Sequence, residues 1–135
     1  MNLIEEYKAN FHKDRKTFAR IIEERTVLFA VKIIRFSANL PDTPEGTIIK
    51  NELSKAGTSI GAFFSEANMA RSRMDYGDKI KICESASGRA VYWLTIVSHL
   101  KWVALKEMEE ELQEAKEFLS LFRTIGKATN ESTKK

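Results

Sequence analysis

The stretch LPDTPEGTIIKNELSKAGTSIGAFFSEANMA (residues 40–70) decides the fold. Pro41 disfavours helical backbone at the residue before it, so it ends any helix that precedes it. Either of the next two residues can cap a new helix, with Pro44 in the first turn, where a missing N–H group costs nothing. Apolar residues then recur every three or four positions, which predicts a helix from about Pro44 to Ala70. They are Ile49, Leu53, Ala56, Ile60, Phe63 and Ala67.

Three other segments show helical spacing. Residues 21–38 carry a broad apolar face, which suits a helix with several neighbours. Its two rows are Ile22, Phe29, Ile33 and Phe36, and Val27, Leu28, Val31 and Ile34. SRMD (residues 72–75) is typical of a capping box, and a third helix is predicted from there to about Trp102. The apolar seam of a fourth helix consists of Leu105, Met108, Leu112, Ala115, Leu119 and Phe122.

Four helices with short connections predict an all-α, antiparallel up-and-down four-helix bundle, a single domain over residues 1–135. The composition agrees, because two prolines and six glycines are too few for a fold rich in turns. Residues 1–20 can form a short leading helix or an arm that reaches a neighbouring subunit. Residues 127–135 are polar, and we expect them to fray.

The bulk properties exclude some classes of protein. The net charge of +3 permits binding to polyanions without requiring it. A single cysteine, Cys83, cannot form an internal disulfide and fits a reducing compartment. The opening MNLIEE turns acidic too early for a signal peptide, and residues 90–100, the longest uncharged stretch, fall short of the roughly 20 that span a bilayer. We therefore expect a cytoplasmic protein with no membrane partner.

The sequence contains no pattern typical of catalysis or metal binding. Helical bundles hold di-metal centres with Glu-x-x-His pairs, and neither His12 nor His99 follows a glutamate at that spacing. Cys83 falls on an apolar seam, where a thiol behaves as a small hydrophobic side chain. GTSIG (residues 57–61) lacks the spacing and the Lys-Ser/Thr pair of a phosphate loop. We therefore predict no enzyme activity, no metal and no cofactor.

Gly57 and Gly61 lie one helical turn apart, so a neighbouring backbone can approach the helix closely there. Each glycine costs roughly 1 kcal/mol relative to alanine inside a helix, a cost that close packing can offset. The neighbour is either another helix of the bundle or another copy of the chain.

Glu66 lies at the edge of the apolar seam and needs a partner for its charge. Its candidate partners are Arg71, Lys79 and Lys81.

Basic residues surround the junction of the second and third predicted helices. Such side chains can contact the phosphates of RNA or DNA. The alternative is an ordinary solvated helix end. The candidate nucleic-acid contacts are Lys55, Arg71, Arg73, Lys79 and Lys81.

Residues 21–97 resemble the four-helix-bundle proteins encoded within 23S rRNA intervening sequences. The resemblance is carried by LPDTPEG (40–46), GTSIGA (57–62), DY (75–76) and YWL (92–94). The residues that we assign to this structural motif are Gly57, Ser59, Gly61, Glu66, Ser72, Asp75 and Trp93.

The resemblance implies an all-α bundle that assembles into a homo-oligomeric ring, with a homopentamer expected, and it implies no enzyme activity. The chain departs from the family pattern at two places. Phe63 stands where the family commonly has asparagine, and SASGRA (residues 85–90) replaces a Lys-Glu-Ala-x-Glu-Thr pattern. If those family residues set subunit contacts or ligand binding, either property differs in this chain.

These observations favour a non-enzymatic assembly or adaptor scaffold, an oligomer that presents a composite surface to an unidentified protein partner. The alternative is an RNA- or DNA-binding protein that uses the basic residues around the helical junction. Repetition of a weak basic patch around a ring would raise the avidity for a long polyanion.

Overall fold

A computed structural model of the chain describes residues 1–133. This part of the chain forms five α-helices and no strand. They are α1 (Leu3–Asn10), α2 (Arg15–Ala38), α3 (Pro44–Ala67), α4 (Arg73–Leu100) and α5 (Leu105–Thr133). The four predicted helices correspond to α2–α5, and the fifth is the short α1. Over the same residues, none of these helices combines the length and apolar character needed to cross a membrane.

The helix boundaries follow local capping chemistry. Thr43 caps α3, because its side chain accepts a hydrogen bond from the Gly46 N–H group, and Pro44 occupies the first turn. Ser72 caps α4 by accepting from the Asp75 N–H group at 3.0 Å. At its other end α4 stops at Lys101, whose φ of 59° places it in the left-handed region. The predicted end at about Trp102 was therefore two residues late.

The long helices pack mainly on their neighbours in sequence, α2 on α3, α3 on α4 and α4 on α5. Buried phenylalanines join α2 and α3 to α5 through the centre. The ring centroids lie 5.3 Å apart for Phe29 and Phe118, and 5.7 Å apart for Phe64 and Phe122. On α3, Phe64 is fully buried while Phe63 is only partly buried. The predicted seam was wrong here, because steps of three and of four residues both fit a helical period.

Direct contact between α2 and α5 is sparse, and an ion-pair network bridges them. Glu114 on α5 is buried and lies 3.4 Å from Arg25 and 3.1 Å from Lys32 on α2. Lys32 also pairs with Glu110 at 2.7 Å. Burial alone would lower the pKa of Lys32, but its hydrogen bonds to these two glutamates outweigh burial and raise it.

Residues 1–20 contribute a short helix that packs against α2 and α5 of the same chain. Leu3 is fully buried, and its N–H group donates to the Glu117 carboxylate at 3.4 Å. The rings of Phe11 and Phe18 meet edge to face with centroids 5.2 Å apart. Residues 3–10 of this segment therefore form a short helix on the bundle of the same chain.

The C-terminal region differs from the predicted frayed tail, because α5 continues through residues 127–133. Packing explains the difference. Thr129 is buried, and a side chain added at Gly77 would meet its Cγ2 at 3.1 Å. Gly77 thus lets the end of α5 lie close against the start of α4. Lys134 and Lys135, the rest of the predicted tail, lie outside the described residues.

Candidate functional site

One end of the bundle contains a cavity of about 290 Å³ with a cationic lining. It forms where α1 ends, where α2 and α4 begin, and where the C-terminal part of α5 passes. We call it the cationic cavity. It is lined by Phe11, His12, Arg15, Arg73, Tyr76, Ala128 and Thr129.

Two helix caps place the two arginines of this cavity. Asp14 caps α2 by accepting hydrogen bonds from the N–H group of Thr17 at 3.1 Å and from its hydroxyl at 2.7 Å. These bonds hold the pKa of the Asp14 carboxyl below its usual value. Arg15 is therefore the first residue of α2, just as Arg73 is the first residue of α4. Because both helices start at the same end of the bundle, the two guanidinium groups line one cavity.

Arg15 is held between two aromatic rings. Its Cζ atom lies 3.8 Å from the ring centroid of Phe11 and 5.0 Å from that of Tyr76. Phe11 itself is buried, so it gives the guanidinium a fixed surface on which to stack. The imidazole of His12 meets the same ring edge to face, with centroids 4.9 Å apart. Stacking uses the face of the guanidinium and leaves its N–H edge available for hydrogen bonds.

Two ionisable groups near the core have raised pKa values. Burial raises the pKa of the Tyr76 hydroxyl, against the opposing effect of Arg15, so Tyr76 is neutral at physiological pH. Burial raises the pKa of the Cys83 thiol to about 12, which agrees with the core position predicted for it. Among the side chains of residues 1–130, no three from His, Cys, Asp or Glu converge as metal ligands do.

The structure divides the predicted nucleic-acid contacts into separate groups. Arg73 lines the cationic cavity, and Arg71 is exposed in the turn before it. The Lys79 ammonium lies 3.7 Å from the Glu66 carboxylate, as one of the candidate ion pairs predicted. Lys81 is exposed on α4. Lys55 lies twelve residues before the end of α3, roughly 18 Å from the helical junction along the helix axis.

Sequence reasoning missed Arg15 and His12 as partners of Arg73. They are about sixty residues away in the sequence, His12 in the link between α1 and α2 and Arg15 at the start of α2. A signal was nevertheless present, because consecutive helices with short links run antiparallel. That alternation brings the start of α2 and the start of α4 to the same end of the bundle.

The two motif glycines contact α2 of the same chain. A Cβ atom at Gly57 would lie 2.7 Å from Cγ2 of Ile33, and one at Gly61 would lie 2.5 Å from Oγ1 of Thr26. Both distances are too short for a Cβ atom unless the facing side chain moves. The close neighbour predicted for these glycines is therefore a helix of the same bundle, α2.

The other motif residues have local structural roles. Ser59 donates to the carbonyl oxygen of Lys55 at 2.6 Å. Ser72 and Asp75 form the cap of α4 described above. Trp93 is partly buried against the core, and its ring meets Tyr92 edge to face at 5.3 Å.

A second notable surface is an apolar row on the outside of α2. We call it the outer ridge. The exposed fractions of its side chains are 61% for Val27, 57% for Leu28, 40% for Val31 and 49% for Ile34. The breadth of the apolar pattern predicted a helix with several neighbours. Within the described part of the chain, no other helix covers this row.

A shallow groove between α3 and α4 offers another apolar surface. We call it the α3–α4 groove, and its floor consists of Ala56, Phe63, Ile82 and Ala86. Lys55, Arg89 and Glu52 flank this floor. Phe63 and three residues of the segment 85–90, the two places at which the chain departs from the pattern of the resemblance, line this groove.

Comparisons with known proteins agree with this architecture. A family model described as 23S rRNA-intervening sequence protein matches residues 19–124. A search of curated proteins gives no match. The chain is similar to the crystal structure of a protein with unknown function from the S23 ribosomal protein family of Bacteroides thetaiotaomicron VPI-5482. The TM-score is 0.73 and the identity 25%, over 78% of this chain and 98% of that chain. Because the family model spans well over half of the sequence, this chain belongs to the 23S rRNA-intervening sequence protein family.

Proposed function

We propose that the protein is a non-enzymatic homo-oligomer, a helical scaffold that presents a composite surface to a protein partner in the cytoplasm. The outer ridge is the observation that carries this proposal. Four aliphatic side chains lie side by side on one helix, each at least 40% exposed. A contiguous apolar patch of this kind is typical of an interaction site.

The occupant that we propose for the outer ridge is a second copy of the chain, seated by its α3–α4 groove. Ridge and groove are different surfaces of one molecule, so their contact is head-to-tail and closes into a ring when the rotation between subunits permits. Their flanking charges are complementary. Glu24 beside the ridge can meet Lys55 or Arg89, and Arg20 can meet Glu52. The family resemblance leads us to expect five subunits.

Light scattering after size exclusion tests this proposal. We expect the wild-type chain to elute as an oligomer at micromolar concentration. The double variant Val31→Glu with Ile34→Glu should be a folded monomer, because it places two charges in the buried centre of the contact. Met69→Glu is the matched control, since Met69 is 74% exposed at the end of α3, away from the ridge. A monomeric wild-type chain, or equal dissociation by both variants, would contradict the proposal.

The cationic cavity favours a second candidate function, binding of RNA or DNA. Arg15 and Arg73 converge there, Arg71 is exposed in the adjoining turn, and Lys81 follows on α4. Cationic side chains grouped at one end of a bundle can contact the phosphates of a nucleic acid without reading its bases. In a ring, each subunit would contribute the same group, and avidity would multiply a weak contact.

Fluorescence anisotropy with short generic RNA and DNA, titrated across salt, tests the second candidate. Binding through several phosphates should weaken linearly on a log–log plot against salt. Replacement of Arg71, Arg73, Lys79 and Lys81 by glutamate should abolish it. Replacement of Lys101 and Lys106, at the opposite end of the bundle, serves as the control. Retained affinity in the fourfold variant would contradict this assignment.

A further inference from the structure

We propose that the cationic cavity is a binding site for a phosphate monoester, with Arg15 and Arg73 as the main contacts and His12 at the rim. The inference does not depend on the oligomer. It deepens the second candidate function only where the phosphate belongs to a nucleic acid, because the site is defined by the phosphate and not by its carrier.

The cavity, of about 290 Å³, has room for a phosphate monoester. Phe11 and Tyr76 form its aromatic wall, and its other polar side chains are those of Arg15, Arg73, His12 and Thr129. Among the side chains of residues 1–130 no aspartate or glutamate lines it.

Neither arginine of the cavity has a carboxylate partner among the side chains of residues 1–130. The ion pairs there involve other cations, Arg25, Lys32, Lys50, Lys79 and Arg123. Asp14, the acidic neighbour of Arg15 in the sequence, directs its carboxylate to two hydrogen bonds from Thr17 and does not line the cavity. Two guanidinium groups without a carboxylate partner create a local excess of positive charge that an anion can offset.

The geometry prepares the site for binding in advance. Arg15 is exposed to solvent, but its contacts with Phe11 and Tyr76 restrict its side chain before a ligand arrives. The start of α4, which is capped by the neutral Ser72, adds the partial positive charge of a helix N-terminus.

The number of donors favours phosphate over carboxylate. Each guanidinium carries five N–H donors in a rigid fork that matches one pair of oxygen atoms. A carboxylate has two oxygens and a single negative charge, so it offsets only one of the two cations. A phosphate monoester offers three terminal oxygens and a charge near −2 at neutral pH, so it can engage Arg15 and Arg73 together.

Isothermal titration of the full-length chain with inorganic phosphate and with adenosine monophosphate tests the site. Arg15→Gln should weaken binding by about tenfold or more, as expected when a hydrogen-bonded charge is removed. Arg73→Gln should do the same, and it leaves the aromatic stack intact if Arg15→Gln disturbs folding. Lys16→Gln is the matched control, because Lys16 is an exposed cation beside Arg15 that does not line the cavity.

Each outcome decides the proposal. A tenfold loss in both arginine variants with a loss below threefold in Lys16→Gln supports it. No binding of millimolar phosphate by the wild-type chain overturns it, as does an equal loss in all three variants. Two oligonucleotides that differ only in a 5′-phosphate then identify the carrier. A preference for the phosphorylated one assigns the site to a nucleic-acid end, and equal affinity alongside phosphate binding assigns it to a small phosphorylated molecule.

Discussion

The two rows of α2 both consist of large apolar residues and have opposite environments. On the inner row Ile22, Phe29 and Ile33 are fully buried. The side chains of the outer ridge are 40–61% exposed. Hydrophobic character therefore does not decide which side of this helix meets the core. The difference arises because α3 and α5 pack on one side of α2 only, so the other side is buried only if another molecule covers it.

The largest difference in stability between the two rows is expected when a side chain of the inner row is truncated. Phe29→Ala should lower the free energy of unfolding by about 3–5 kcal/mol, through lost transfer energy and the cavity left beside Phe118. Leu28→Ala, the neighbouring change on the outer ridge, should cost less than about 0.5 kcal/mol. Urea denaturation is the measurement. It should be made in the Val31→Glu, Ile34→Glu background, so that all variants share one oligomeric state. Similar costs for the two truncations would show that the ridge is buried within the chain.

A smaller effect is expected from a pair of glycine substitutions, which test how tightly α3 lies against the inner row. Gly57→Ala should destabilise the chain by about 1–3 kcal/mol, because the new methyl group would overlap Ile33. Gly88→Ala is the control on α4, where the nearest atom, Cδ1 of Leu119, is 3.9 Å away. There, alanine should stabilise the helix by up to about 1 kcal/mol. Thermal unfolding should therefore shift in opposite directions, and a stabilising Gly57→Ala would show that the helices separate easily.

Much of the fold could be predicted from local chemistry. The Thr43 cap with Pro44, the Ser72 cap, and the buried positions Ile49 and Leu53 depend on residues within one helix, and the structure agrees with them. The choice between Phe63 and Phe64 could not be made locally, because both satisfy the period and only the placement of α5 separates them.

The candidate site was predictable only in part. Arg73 was identified because it belongs to a basic cluster that is continuous in the sequence. Arg15 was missed because it meets Arg73 only through the packing of four helix ends. The exposure of the outer ridge was missed for a related reason. A pattern of apolar residues shows that a surface avoids water, and it does not show whether the covering surface belongs to the same chain.

The smallest effect is expected from the ion pair between Lys32 on α2 and Glu110 on α5. The hydrogen bond from Lys32 holds the pKa of Glu110 below its usual value of 4.5. A carboxyl with a lowered folded-state pKa contributes stability above its unfolded pKa, and that contribution is lost as pH falls through the folded value. Glu110→Gln should therefore lower the Tm slightly at pH 7, and the difference from wild type should disappear toward pH 3. Glu110 is mostly exposed, so the shift should be small and should shrink further in high salt. Glu109→Gln, at the exposed neighbouring position, should leave the Tm unchanged across the same pH range. A difference for Glu110→Gln that persists at pH 3 would mean that the side chain contributes through packing rather than through its charge.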